Sequence, residues 1–194
     1  MSKCYTRGMS RWQPNAVQRL QQAAMELFLE RGYEGTTVGD IAGRAELTER
    51  TFFRYFADKR EVLFAGSEEY ERFVVGAVAA SPAEPLEAVI AAYEATAPAL
   101  FDFRAEQVRL RWRVIAANEE LLERELKKGG RVAAGITAAL VAKGVSPTAA
   151  ALAAEVGSAV FRNAFDRWVA DTTGGPLAGR VRATLAELKS VLGN

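Results

Sequence analysis

The chain has 194 residues, with 25 Lys and Arg against 24 Asp and Glu, and it contains no histidine. Without histidine there is no imidazole base, no Ser-His or Cys-His nucleophile pair and no His metal ligand. No Gly-rich phosphate loop or CxxC pair offers another catalytic scaffold, so no enzyme activity, metal or cofactor is expected. The single cysteine, Cys4, rules out an intramolecular disulfide and fits a reducing, cytoplasmic setting, and no apolar run reaches the length of a membrane span. With 49% hydrophobic residues a substantial core can be buried. The basic excess sits in residues 1–60, with 10 Lys and Arg against 7 Asp and Glu; from 61 onward there are 15 against 17.

Residues 1–13 carry Lys3, Arg7 and Arg11 and no acid. They read either as a basic arm following a phosphate backbone or minor groove, or as a terminus with chance charges. Pro14 suits a first helical turn, and Val17, Leu20, Ala24, Leu27 and Phe28 continue an apolar stripe that ends at Gly32. After Tyr33 and Gly35 comes TTVGDIAGRAELTERTFFRYFADK, from Thr36 to Lys59. Thr37 and Asp40 have the form of a capping box, and Val38, Ile41, Ala42 and Ala45 fall on one helical face. Thr48 caps a second short helix. Phe52 and Phe56, four apart, turn inward and leave Arg50, Thr51, Arg54 and Tyr55 outward. This division suits a helix-turn-helix, whose second helix holds the first with one face and presents base-reading side chains with the other. Asp58 then caps a further helix, with Lys59 exposed in its first turn, expected to run unbroken through Ala77.

These residues resemble the TetR family of bacterial repressors: the Gly32-Tyr33-x-Gly-Thr-Thr-Val38 run, the Asp40-Ile41-Ala42 helix, the TFFRYF block and Lys59. The likeness is close from about Leu20 to Leu63 and rests on helical layout and length beyond. It implies an all-α protein: a three-helix DNA-binding head, residues 14–60, joined by a connecting helix to a helical ligand-binding and dimerisation domain, residues 61–194. In that family the connecting helix moves as ligand binds. Three positions depart from the pattern. Glu46 stands where the family usually has glycine, so a positive φ there would be strained. Phe53 replaces a phosphate-reaching tyrosine, a role Tyr55 could take over. Arg50 replaces a small residue and adds a bidentate donor suited to guanine. Arg50, Thr51 and Arg54 are therefore expected on base edges, Thr37, Thr48, Tyr55 and Lys59 on phosphates, and Phe53 against sugar or a thymine methyl group.

Farther along, Leu86, Val89, Ile90 and Tyr93 form one stripe, and Pro98 must end or kink its helix. In VRLRWRVIAAN, Arg109 and Arg113 share a face while Arg111 points elsewhere. The cluster reads either as a solvated face or as an anion site walled by Trp112, Phe101 and Phe103. Asn118 starts the next helix, with a bend or loosened turn expected at Gly129-Gly130. Ser146-Pro147 starts another, which carries Val156, Val160, Phe161, Phe165 and Trp168. After Gly174-Gly175-Pro176 a last helix aligns Leu177, Val181, Leu185, Leu188 and Leu192. The stretch from Arg109 to Leu126 and Asp166-Arg167-Trp168 are similar to the C-terminal domain of the acyl-CoA-responsive regulators linked to mycofactocin clusters. That likeness implies a pocket with Arg109 and Arg113 on phosphate or carboxylate and Tyr93, Phe101, Trp112, Phe161 and Phe165 as apolar wall; a neutral aromatic inducer fits the composition too. Val156, Val160, Val181, Leu185 and Leu188 read as a dimer interface or, alternatively, as the chain's own core. The expectation is a homodimeric repressor of a palindromic DNA operator, released by a small hydrophobic or acyl-type inducer. A helical lipid carrier, or an architectural DNA-binding dimer without inducer, is the alternative.

Overall fold

In the computed structural model residues 16–173 and 175–193 are described. The basic arm with Lys3, Arg7 and Arg11, together with Cys4, Pro14 and Gly174, lies outside them. The described residues contain helices and no strand, and the chain divides into two compact units, one up to Leu63 and one from Phe64.

The first unit is built from α1 (Ala16–Arg31), α2 (Val38–Arg44) and α3 (Glu49–Tyr55). Its core joins Leu20, Leu27 and Phe28 of α1 to Ile41 and Ala42 of α2 and Phe52 of α3, all buried. Helices of seven residues do not persist in water on their own, so α2 and α3 depend on their ends and on this packing. At the start of α2 the Thr37 amide and hydroxyl donate to Asp40 Oδ2 at 2.9 and 2.6 Å, and Thr37 Oγ1 accepts from the Asp40 amide at 3.1 Å, closing a capping box. Thr48 Oγ1 accepts from the Thr51 amide at 3.1 Å and starts α3. Between them, Leu47 N bonds Ala42 O at 2.8 Å and Glu46 N bonds Gly43 O at 3.0 Å. That pair of bonds requires a left-handed residue, and Glu46 supplies it at φ 51.

The helix expected to run unbroken from Asp58 is in fact two. Asp58 Oδ1 does accept from the amides of Arg60 and Glu61, at 2.8 and 3.1 Å, but α4 (Glu61–Phe64) stops after one turn and α5 (Ser67–Ala80) begins afresh. Gly66 lies at φ 86, open to glycine at no steric cost, and the Ser67 hydroxyl donates to Phe64 O at 2.6 Å, so the carbonyl freed by the break is satisfied.

The second unit adds α6 (Pro85–Thr96), α7 (Ala105–Ala116), α8 (Glu119–Ala142), α9 (Pro147–Ala170) and α10 (Leu177–Val191). The α9 helix packs against α6, α8 and α10, and α5 against α6 and α8. Val74, Val89, Ile90, Ile136, Leu140, Val160, Trp168, Val181 and Leu185 lie within one buried cluster. Pro98 has no N–H for Glu94 O, and α6 gives way at Thr96 to a π-helical turn, Ala97–Phe101, and a 3-10 turn, Asp102–Arg104. Asp102 Oδ1 accepts from Leu177 N at 3.2 Å, at the start of α10. Asn118 and Ser146 cap α8 and α9 as expected. Gly129-Gly130 do not interrupt α8: the helix continues through both, with Leu121 on one side and Val132 and Ile136 on the other buried. The packing of these flanking residues outweighs the poor helix propensity of two glycines.

Where α6 and α9 cross, a Cβ on Gly157 would overlap Val89 Cγ1 well inside van der Waals contact and stand 3.1 Å from Val89 Cβ, whereas nothing lies within 4 Å of a Cβ on Gly129. Opposite signs follow for the same substitution. Gly157→Ala should lose about 1–2 kcal/mol net, because overpacking exceeds the gain in helix propensity. Gly129→Ala should gain up to about 1 kcal/mol. Thermal melts of the two variants beside the parent check this.

Candidate functional site

The outward face of α3 carries Arg50, Phe53, Arg54 and Tyr55, all exposed, with Thr51 half-buried beside them. Phe52, fully buried, and Phe56 hold the opposite face, their rings 5.4 Å apart. Phe53 is 54% exposed and meets Phe52 edge-on at 5.6 Å, so a large apolar ring stands in solvent on a helix whose inner face is already filled.

The charges of this unit are distributed unevenly. Arg19 pairs with Glu46 at 3.0 Å, Arg31 with Asp40 at 3.5 Å and Arg60 with Asp58 at 2.5 Å. Arg44 reaches both Glu30, at 2.8 Å, and Glu26, at 3.2 Å, and these partners raise its pKa while Arg44 in turn lowers that of Glu30. Arg50 and Arg54 are different: among the described residues neither has an acidic partner. Arg54 Nη2 donates to the Tyr55 hydroxyl oxygen at 2.8 Å with the guanidinium 4.7 Å from the ring centre. The Tyr55 hydroxyl is an acceptor there, and its own proton is left to donate elsewhere.

The residues expected on phosphates are less alike than the sequence suggests. The Thr37 hydroxyl gives its proton to Asp40, which with the Thr37 amide holds that carboxyl below its usual range. The Thr48 and Thr51 hydroxyl oxygens are 3.0 Å apart, so one proton lies between them and the other is available. Lys59, expected to be exposed, is half-buried. Its ammonium donates to Tyr33 O at 2.8 Å and Thr36 O at 3.2 Å and lies 4.1 Å from the centre of the Tyr33 ring. Around it the Gly32–Thr37 turn is closed by Thr36 Oγ1 donating to Gly32 O at 2.9 Å and by Tyr33 packing on Phe28 at 5.3 Å. A Cβ on Gly35 would come within 2.5 Å of Arg31 O, which excludes any other residue there without a backbone shift.

In the second unit the expected apolar wall is brought together. Tyr93 stacks on Phe161 at 4.4 Å, Phe161 and Phe101 each lie about 6 Å from Phe165, and Trp112 meets Phe165 at 5.5 Å perpendicular. The arginines are not gathered with it in the same way. Arg109 Nη2 donates to Trp168 O at 3.4 Å, and its guanidinium stands 4.7 Å from the Trp168 ring centre, a cation placed at the carbonyl end of α9. Arg113 is exposed. Arg111, set aside by the sequence reading, reaches Glu125 at 3.0 Å, and Glu125 also meets Lys128. Tyr70, Glu125 and Lys128 escaped notice because Glu-x-x-Lys on a helix is ordinary surface pairing; only their burial sets them apart. The stripe proposed for an interface is turned the other way. Val160, Val181 and Leu185 are buried in the unit's own core and Leu188 packs against it, while Val156 is half-buried. Apolar spacing on a helix marks a buried face without saying whose atoms bury it.

The first unit thus has the form of a helix-turn-helix head. Residues 20–65 match the pattern of bacterial regulatory proteins of the tetR family. The chain is 36% identical over 131 residues to the HTH-type transcriptional regulator TcmR of Streptomyces glaucescens, a match covering 62% of this chain and 58% of that protein. Among solved structures, a TetR-family protein from Syntrophomonas wolfei shares the fold at a TM-score of 0.66 and 19% identity, covering 93% of this chain and 96% of that one. Thermus thermophilus FadR, a TetR-family repressor solved in complex with lauroyl-CoA, does so at 0.52 and 23%, covering 88% and 91%. The head thus carries the tetR-family pattern over residues 20–65, the chain spans less than two thirds of the Streptomyces relative, and these relatives are transcriptional regulators. Among the described residues no helix is long and apolar enough to cross a membrane.

Two outcomes follow from the head's geometry. At position 46, Glu46→Val should cost about 1–2 kcal/mol, since a β-branched residue resists positive φ, whereas Glu46→Gly should cost little or nothing; equal melting of the two would contradict a left-handed turn. At position 59, Lys59→Met keeps the apolar stem but removes two charge-assisted bonds, for a loss of about 1.5–3 kcal/mol read by denaturant unfolding in the absence of DNA. A residue serving phosphate alone would leave that unfolding curve unmoved.

Proposed function

We propose that this protein is a ligand-responsive, DNA-binding transcriptional regulator, a repressor that acts as a homodimer on a palindromic operator. The observation that carries the reading is the allocation of charge among the described residues of the head: four arginines are neutralised by acids of the same unit, and the two kept from any acid, Arg50 and Arg54, project from α3. A helix-turn-helix presents its base-reading side chains from this element, and a guanidinium pairs bidentately with guanine in the major groove. Arg50 and Arg54 read base edges, Thr51 assists, and Phe53 covers sugar or a thymine methyl group. Tyr55, with its hydroxyl proton available, takes a phosphate, and Thr48 takes another. Thr37 and Lys59 position the head, and reach phosphate only by sharing donors already in use.

A single α3 reads too few bases, so two heads on a dyad are required. With Val160, Val181 and Leu185 turned inward, the dimer would use the opposite faces: Leu152, 61% exposed, Ala159 and Asn163 of α9 with Ala183 and Ala186 of α10. The aromatic cluster of Tyr93, Phe101, Trp112, Phe161 and Phe165 marks the inducer region, and the lauroyl-CoA complex of the Thermus FadR supports an apolar ligand in this fold. Inducer binding favours a conformation with lower operator affinity, by reciprocal coupling between the two sites.

Selection of bound duplexes from a random pool, followed by affinity against salt, tests the reading. A palindrome should emerge, with affinity falling steeply as salt rises. Arg50→Ala should cost about 1–3 kcal/mol and relax preference at one position of each half-site. Recovery of no preferred sequence at low salt would sink the proposal.

A further inference from the structure

We propose that Glu49 is a further base-reading residue of the head, one that accepts from the exocyclic amino group of a cytosine in the major groove, and that Gly39 positions its carboxylate. The proposal rests on the reading of α3 as the recognition helix and adds to it a base that the arginines do not select.

The first observation is the place of Glu49 on α3. It stands in the first turn, next to Arg50, and is exposed. Residues four apart share a helical ridge, so Glu49 lies in line with the exposed Phe53 as Arg50 lies in line with Arg54. A recognition helix offers its amino-terminal residues to base edges, and both ridges belong to that surface.

Charge is the second observation. Glu26 and Glu30 pair with Arg44, Asp40 with Arg31, Glu46 with Arg19 and Asp58 with Arg60. Glu49 has no cationic partner among the described residues. An unneutralised carboxylate beside phosphates weakens binding to every duplex, and the loss is recovered only where a base supplies a donor. Ionised, a carboxylate only accepts. Guanine and thymine present acceptors in the major groove, and adenine sets its N7 acceptor beside its amino group. Cytosine presents the amino group alone, and is the base whose edge suits Glu49.

The third observation is Gly39. Its φ is not in the left-handed region and it lies within α2, where alanine is the better helix former. A Cβ there would lie 2.7 Å from Glu49 Oε1 and 3.7 Å from Thr37 Oγ1. The missing side chain leaves the space beside which the carboxylate sits. A carboxylate held in one place discriminates between bases better than one free to sweep the helix end.

Duplex selection with the parent, Glu49→Ala, Glu49→Gln and Gly39→Ala tests this, each variant checked for folding by thermal melting. The selected operator is then compared with one in which a single C·G pair of each half-site is changed to T·A. The parent should select cytosine at one position of each half-site and lose about tenfold in affinity per altered pair, within the range of a single mismatch. Glu49→Ala should bind both operators alike and bind random duplex more tightly than the parent does. Glu49→Gln should move the preference to adenine, whose N7 and amino group an amide meets together. Gly39→Ala keeps the carboxylate but displaces it, so it should melt no lower than the parent and discriminate less. Arg50→Ala should relax a different position and leave the cytosine in place. If Glu49→Ala selects the same base as the parent at every position, or loses affinity for all duplexes by one factor, the proposal is overturned and Glu49 is only an acid favouring the first turn of α3. Should Glu49→Ala not fold, Glu49→Gln decides by the same comparison. A parent that selects no palindrome marks failure of the regulator reading, whereas a palindrome indifferent to Glu49 marks failure of this inference alone.

Discussion

The ammonium of Lys59 resting on the carbonyls of Tyr33 and Thr36 is the constraint around which the head is arranged. Those carbonyls belong to a turn in which Tyr33 O accepts a long bond from the Thr36 amide at 3.3 Å, and buried carbonyls short of donors are costly. A cation from the far end of the helix-turn-helix supplies the donor. The stretch that leaves α1 is thereby tied to the stretch that follows α3, and α3 is bracketed at both ends, by Thr48 before it and by Lys59 beyond it. Phe52 and Phe56 then set its rotation. A recognition surface needs both constraints, because a short helix that slid or turned by one residue would present a different set of side chains.

Electrostatics complete what packing begins. Surface ion pairs such as Arg19–Glu46 and Arg31–Asp40 contribute little to stability in water, so their value lies elsewhere. They neutralise the flanks of the head and, among the described residues, leave the guanidiniums without an acidic partner on one face of one helix. The result is a directed field in a chain whose net charge is only +1. The Arg54–Tyr55 contact has the same character: it costs the guanidinium none of its charge and holds it beside Arg50 rather than free to pair elsewhere.

What was legible in the sequence was what depends on near neighbours. Thr37 with Asp40, Thr48 with Thr51, Asn118 and Ser146 are caps closed within three residues, and Pro98 must interrupt a helix wherever it falls. The left-handed Glu46 was legible for the same reason, since the family pattern with glycine in the turn already implied its φ. What was not legible depends on partners distant in the chain. The break at Gly66 reverses the expectation from the apolar pattern and the continuity through Gly129-Gly130 reverses the expectation from glycine, because the packing that sustains α8 through its glycines comes from other elements. Lys59 looked like an exposed cation for want of any sequence sign that two carbonyls some 25 residues earlier would claim it. The inward turn of Val160, Val181 and Leu185 is the same problem in another form, for a heptad-like stripe specifies burial and is silent on which chain provides it.

The second unit shows why that silence matters for function. Its aromatic side chains are close enough to fill their own interior, and a filled interior has no affinity for an apolar guest unless something makes exchange favourable. Ring-for-ring replacement is near neutral, since the packing lost by Phe101 and Phe161 is regained against the guest. A net gain therefore has to come from polar groups that the resting state satisfies incompletely. Among the described residues the buried Nε of Arg109 is such a group: it has no hydrogen-bond partner, and its guanidinium stands 4.7 Å from the ring centre of Trp168, which packs on Phe165. Specificity in such a unit would then be carried by the few polar contacts and capacity by the rings, the division that buried binding sites generally adopt.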